Sequence, residues 1–148
     1  MAVPASRLLE VWARHLEAEF ETKDVTATLA TMVEDASVDH VPTRKGGRGK
    51  AELLPFYRDV FIPSWPDDLR VSATNRVVGD GQIVEETHLE LTHSRRMDWF
   101  LPGIEPTGRR IVSDFVVVVQ FRGDKLACER IYWDQAEVLR QIGLLPGA

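Results

Sequence analysis

The stretch RIVSDFVVVVQFRGDKLACERIYW, Arg110 to Trp133, constrains the fold more than any other part of the chain. It reads as two strands joined at Arg-Gly-Asp-Lys. Phe115 to Val119 is a continuous apolar run, which predicts a strand covered on both faces. Such a strand needs neighbours in a sheet and helices to cover it. Both are available upstream. LRVSATNRVVGDG ends in a Gly-Asp-Gly turn and leads into the long mixed strand QIVEETHLELTH.

The N-terminal half reads as helical. Leu8, Leu9, Trp12, Leu16 and Phe20 recur at helical spacing from Ser6 to Glu21, giving one apolar stripe. Asp24 precedes a shorter helix, VTATLATMV, with Leu29, Met32 and Val33 on its apolar side. ASVDHVPT reads as extended, RKGGRGK as a polar loop, and AELLPFYRDVF as a helix packing Leu53, Leu54, Tyr57 and Phe61, with Pro55 near its start. A last helix carries Val138, Leu139 and Ile142 and stops at Gly143. Helices first, then antiparallel hairpins, then a short helix imply an α+β fold. A curved sheet wrapped on helices leaves a cavity for a ligand.

At 148 residues the chain has the length of about one ordinary domain, expected to span 1–148. Its net charge of −5 argues against a nucleic-acid partner, which needs a basic footprint. Cys128 is the one cysteine, so no internal disulfide forms, which fits a reducing cytoplasm. MAVPASRLLEVWARHLEAEF carries acids and no apolar run, so it does not read as a secretory signal. No stretch approaches the roughly 18 apolar residues that suggest a membrane span.

Several residues carry candidate chemistry. In EETHLELTH, strand alternation puts Glu86, His88, Glu90 and Thr92 on one face. Glu85, Thr87, Leu89, Leu91 and His93 share the other, which reads as the packed one. The first set is then an outward polar row, unless a bulge after Glu86 flips the pattern. A metal reading of Glu86, His88, Glu90 and His93 lacks a second histidine pair at ligand spacing, so no metal is expected. His40, in VDHVP, is either a satisfied core histidine or a proton carrier. GGRGK fails the phosphate-loop pattern because Ala51 follows Lys50. Met97, Trp99, Phe100, Leu101 and Ile104 lie in a Pro/Gly-rich loop and must plug a pocket mouth, a subunit interface, or both. Asp134 starts the last helix, with Glu137 three residues on as in a capping box. On the preceding strand it shares a face with Cys128, Arg130 and Tyr132. The two roles compete, because capping lowers a carboxylate pKa and a general base benefits from one nearer neutral.

VDHVPTRKGGRGKAELLPFY, THSRRMDWFLPGIEPTGRR and GDKLACERIYWDQAEVLRQIGLL together resemble the nuclear transport factor 2-like superfamily, in its SnoaL-like polyketide cyclase branch. The resemblance implies a cone-shaped α+β fold, a curved, mostly antiparallel sheet around N-terminal helices. It further implies a deep apolar pocket, a homodimer, and no metal or organic cofactor. Fold alone does not settle function. Carried over, the acid/base aspartate ending the last strand matches Asp134, the pocket histidine matches His40, and the acid of the middle strand matches Glu86. The histidine before the variable loop matches His93, which alternation puts opposite Glu86. The expected catalytic set is therefore Asp134, His40 and Glu86, with Arg130, Tyr132, His93, Trp99 and Trp133 binding substrate. Arg130 departs from the cyclase pattern and would favour an anionic or enolate-like ligand.

The reading that follows is an acid/base enzyme on a small apolar oxygenated molecule, polyketide- or lactone-like. The alternatives are a binding or dimeric association module, and an epoxide hydrolase using Asp134, Arg130 and Glu86.

Overall fold

The computed structural model describes residues 2–147. The chain runs α1 (Ala5–Phe20), α2 (Val25–Ala30), β1 (Met32–His40), β2 (Lys45–Arg48), α3 (Lys50–Pro55), β3 (Arg70–Gly79), β4 (Gln82–Thr92), β5 (Arg110–Arg122), β6 (Lys125–Tyr132) and α4 (Gln135–Gln141). The six strands form one sheet in the order β2-β1-β6-β5-β4-β3. All neighbours are antiparallel except β1 and β6, which are parallel. The sheet curves around α1 and α3 as a cone, as expected.

Local differences have physical causes. α2 stops at Ala30, and Met32 and Val33 begin β1 instead of extending the helix. Met32 is buried there, so tertiary packing overrides the helical spacing. Within the RKGGRGK segment, expected as a polar loop, Lys45–Arg48 is an edge strand, β2, paired to β1. Gly46 makes this possible: a Cβ on it would stand 1.9 Å from the Val38 carbonyl oxygen. Pro55 ends α3 instead of starting it, and the chain continues as a π-helical turn over Phe56–Phe61. Proline cannot donate to the ladder, which accounts for the change of register. β5 is central, with Ile111, Ser113, Phe115 and Val119 buried, but its outward Val116 and Val118 are half-buried.

The loop between β4 and β5 turns inward. Met97, Trp99, Phe100 and Leu101 are all at most 1% exposed and pack inside this chain. Their burial leaves them no surface to offer a second subunit. Trp99 sits among Phe61, Trp65, Phe100 and Trp133, and its indole donates to Ser64 Oγ at 2.9 Å. Among the described residues no helix is long and apolar enough to cross a membrane.

Candidate functional site

Inside the cone lies a cavity of about 260 Å³. Trp12, Phe20, Tyr57, Phe61, Trp65, Trp99 and Phe115 give it an aromatic wall, and Glu21, Val71, Ala73 and Arg76 form an exposed rim. Its buried charged groups come from three elements whose periodicities converge. On α1 the buried face reads Leu8, Val11, Trp12, His15, Ala18, Glu19, so His15 and Glu19 continue the apolar stripe inward. On β6 the inward residues are Leu126, Glu129 and Ile131, with Trp133 just beyond. On β4 they are Ile83, Glu85, Thr87, Leu89 and Leu91.

His15, Glu19, Glu129 and Tyr57 form one buried polar cluster. His15 Nε2 lies 2.9 Å from Glu19 Oε1 and 3.2 Å from Glu129 Oε2. Neither oxygen is aligned with the Nε2 axis as a hydrogen-bond partner, so the pairs act mainly through charge. The Thr31 hydroxyl donates to the Thr28 carbonyl at 2.6 Å, so Thr31 Oγ1 accepts from His15 Nδ1–H at 2.7 Å. The Tyr57 hydroxyl donates to Glu129 Oε2 at 3.3 Å. Burial pulls the His15 pKa down, but the charges of Glu19 and Glu129 outweigh it and raise it to about 10. Burial raises Glu19 above the usual carboxylate range, against the attraction of His15. Burial, reinforced by the negative charges of Glu129 and Glu19, pushes the Tyr57 phenol well up, so it keeps its proton. Removing one partner from a buried charged set costs roughly 3–5 kcal/mol, because the others are left uncompensated. Perturbed groups gathered beside a cavity make this the candidate site.

Glu85 is the second charged feature. Its Oε2 accepts from Trp12 Nε1 at 3.2 Å and from Arg76 Nε at 2.5 Å. Arg76 reaches it because of a bulge. Thr74 is an extra residue on β3 between the pairs Ala73–Thr87 and Asn75–Glu86. The bulge reverses the alternation, so Arg76 joins Val71 and Ala73 on the cavity side.

The residues expected from sequence separate into two groups. His40 and Trp99 line the cavity, their rings 4.8 Å apart. His40 Nδ1 donates to the Lys45 carbonyl at 3.0 Å, and burial lowers its pKa to about 4, so the ring is neutral with Nε2 as a free acceptor. The expected position of Asp134 is corrected. It is exposed and accepts from the Glu137 backbone N–H at 3.0 Å, as the N-cap of α4. Arg130 and Tyr132 share its outward parity. Arg130 lies over Cys128 and Gln120 on the outer face, and Tyr132 is 40% exposed. Glu86 also points out, bonded to Asn75 Nδ2 at 2.9 Å. The β4–β5 register runs unbroken, so no bulge brings Glu86 inward.

His93 and Trp133 are buried but do not border the cavity. His93 Nδ1 accepts from the Thr107 backbone N–H at 3.3 Å, and burial lowers its pKa. Trp133 stacks on Phe115 and donates to Gln135. The metal reading around His88 dissolves as well. His88 binds Asp114 and Glu90 on the outer face, while His93 lies on the inner one.

The family model for the SnoaL-like domain matches residues 12–129. The chain belongs to the SnoaL-like domain family. That span starts at Trp12 and ends at Glu129, so it contains every charged group of the cavity. Among solved structures, a proposed SnoaL-like polyketide cyclase from Jannaschia sp. CCS1 aligns with a TM-score of 0.78 at 17% identity, covering 99% of each chain. AclR, a proposed hydroxylase from Streptomyces galilaeus, aligns at 0.73 and 14% identity, over 98% of this chain and 90% of its own. A nuclear transport factor 2-like protein from Burkholderia pseudomallei K96243 gives 0.70 and 20% identity, over 93% of this chain and 98% of its own. These likenesses establish the fold of the SnoaL-like chain. No curated protein matches it by sequence.

Proposed function

We propose that this protein is an acid/base enzyme acting on a small, apolar, oxygenated molecule, of the polyketide or lactone kind. The side chains themselves carry the proton, with no organic cofactor. The observation that carries this reading is Glu129, a buried carboxylate on the cavity wall in contact with both His15 and Tyr57. Two carboxylates whose environments differ define an acid and a base. Glu19, drawn toward its protonated form by burial, is the group that takes up a proton and delivers it. Glu129 is the base that removes one beside a carbonyl. Tyr57 keeps its hydrogen and donates to developing negative charge, and the positive charge on His15 offsets the charge that moves through the site. The aromatic wall holds the carbon skeleton and excludes water. His40 Nε2 supplies a neutral acceptor beside Trp99.

Isomerisation, cyclisation and hydrolysis are all open to this arrangement. The family match and the polyketide cyclase relative favour the first two. Epoxide opening has its own supporting observation: Glu85, Arg76 and Glu129 supply carboxylate, arginine and carboxylate on the cavity wall. Binding without turnover is favoured by the extent of the ring-lined wall.

A panel of lactones, enones and epoxides, followed by mass spectrometry, separates these readings. Turnover of one class is expected, falling about 10²–10⁴-fold in Glu129→Gln. Turnover that survives Glu129→Gln overturns the assignment. Quenching of tryptophan fluorescence by panel members without any product supports binding alone.

A further inference from the structure

The buried cluster has a geometry that proton transfer does not require. We infer that His15, Glu19 and Glu129 form a binding site for a divalent transition-metal cation of the Zn²⁺ type, with its open positions facing the cavity.

The three donor atoms converge. His15 Nε2, a Glu19 oxygen and a Glu129 oxygen all lie within 4.8 Å of one another. Nε2 is 2.9 Å from Glu19 Oε1 and 3.2 Å from Glu129 Oε2. A zinc ion sits about 2.0–2.2 Å from nitrogen and oxygen ligands. Two ligands at right angles around such an ion stand about 3 Å apart, and at a tetrahedral angle about 3.4 Å. The His15–carboxylate separations fall on this spacing.

The direction of the nitrogen is the independent observation. His15 is fully buried, and its Nε2 has no aligned hydrogen-bond partner despite two oxygens at contact distance. A histidine whose purpose is to pair with a carboxylate points its N–H at an oxygen. One that shares an ion with carboxylates points between them, because the ion and not the oxygen lies on the ring axis. The other side of the ring is set for the same purpose. Nδ1–H is committed to Thr31 Oγ1, whose own hydrogen goes to the Thr28 carbonyl. With Nδ1–H so committed, a cation that displaces the Nε2 proton meets a lone pair directed into the cluster, as outer hydrogen bonds arrange for metal-binding histidines.

The remaining features fit. His15 and Glu19 are four residues apart on α1, one turn of one face. Three protein ligands leave coordination positions for water or a ligand, the pattern of an open zinc site and not a closed structural one. Glu19 and Glu129 border the cavity, which gives an ion a way in. Nitrogen and carboxylate donors suit zinc or manganese better than magnesium, which prefers oxygen and retained waters. The inference goes beyond the acid/base reading. An ion held by Glu19 and Glu129 occupies the same oxygens that would move protons, so Zn²⁺ is expected to suppress proton-transfer turnover.

The test uses the full chain, stripped with chelator and titrated with ZnCl₂ by calorimetry without substrate. One Zn²⁺ per chain is expected, with Mn²⁺ weaker and Mg²⁺ silent. Thr31→Val keeps all three ligands and is expected to weaken Zn²⁺ roughly 10–100-fold. His15→Gln is expected to abolish binding, and His88→Ala, on the outer face, to leave it unchanged. Variants that fail to fold do not stall the test. Long-range ¹H–¹⁵N spectra of the wild type follow all four histidines, and Zn²⁺ should move the Nε2 resonance of His15. Absence of Zn²⁺ binding, binding that leaves the His15 resonance in place, or binding indifferent to Thr31→Val and His15→Gln overturns the inference. Because the readout needs no substrate, it stands or falls separately from the turnover of the panel.

Discussion

Replacing Asp134 by alanine separates a helix cap from a proton carrier. Asp134 Oδ1 accepts from the Glu137 N–H at 3.0 Å, and α4 is only seven residues long. Loss of an N-cap acceptor costs about 1 kcal/mol. The cost is passed to the core, because Val138 on this helix and Ile142 just past its end are 0% and 4% exposed. In a protein of this size, 1 kcal/mol lowers Tm by about 3 °C. Asparagine keeps an acceptor and gives up only the favourable charge at the helix start, about 0.3 kcal/mol. Thermal melts followed by circular dichroism should therefore rank wild type, Asp134→Asn and Asp134→Ala in that order. Urea titrations should show shifted midpoints with unchanged slopes. Turnover of any panel substrate, measured well below Tm, should be the same in all three. An Asp134→Ala protein that melts like wild type refutes the capping argument. An Asp134→Asn protein with wild-type Tm and no turnover refutes the removal of Asp134 from the site.

Three further outcomes follow from the packing. His15 has a folded pKa raised to about 10, so its stabilising contribution is complete below about pH 6.5 and is lost as pH climbs through 10. Glu19, also raised, acts in the same direction. Urea midpoints should fall between pH 7 and 10 in the wild type and less in His15→Gln; a flat wild-type profile contradicts the cluster's charge state. His40 is the opposite case, lowered to about 4, so protons destabilise the fold from about pH 6.5 down to 4, by about 3 kcal/mol in all. His40→Phe should flatten that arm of the acid-unfolding curve, and equal slopes in both proteins would count against a neutral buried ring. Trp99→Ala should cost about 3–5 kcal/mol by leaving a void among rings, read as a lowered urea midpoint. A loss under 1 kcal/mol would mean the loop does not plug the core.

The fold was legible because its signals are local and repeated. The hairpin over Arg110–Trp133, the α1 stripe and the terminal helix each declare their period within a few residues. The site was only half legible. Strand parity grouped Arg130, Tyr132 and Asp134 correctly but does not say which face is inward. The alternate face, with Ile131 and Trp133, was the more apolar, and it brings Glu129 with it. On β4 alternation did put Glu85 with the leucines, and the structure agrees. His15 and Glu19 lay in plain sight on the α1 stripe, spaced with Leu8 and Trp12. A buried histidine and two buried glutamates are tolerated only because α1, the π-helical turn after α3, and β6 bring them together. No single segment records that meeting. The Thr74 bulge that re-aims Arg76 is likewise a pairing event between strands, invisible in β3 alone.

The parallel contact between β1 and β6 sets a schedule for the molecule. Val38 pairs with Glu129, so the first strand closes against the last. Closing so long a loop is entropically slow and comes late in folding. During synthesis, α1 with His15 and Glu19 leaves the ribosome long before Glu129 exists. A nascent chain therefore carries two unpaired, stripe-facing ionisable residues and no pocket. Competence arrives in one step, when the final strand docks, and any clip that removes β6 erases the site while leaving β3, β4 and β5 a sheet to form.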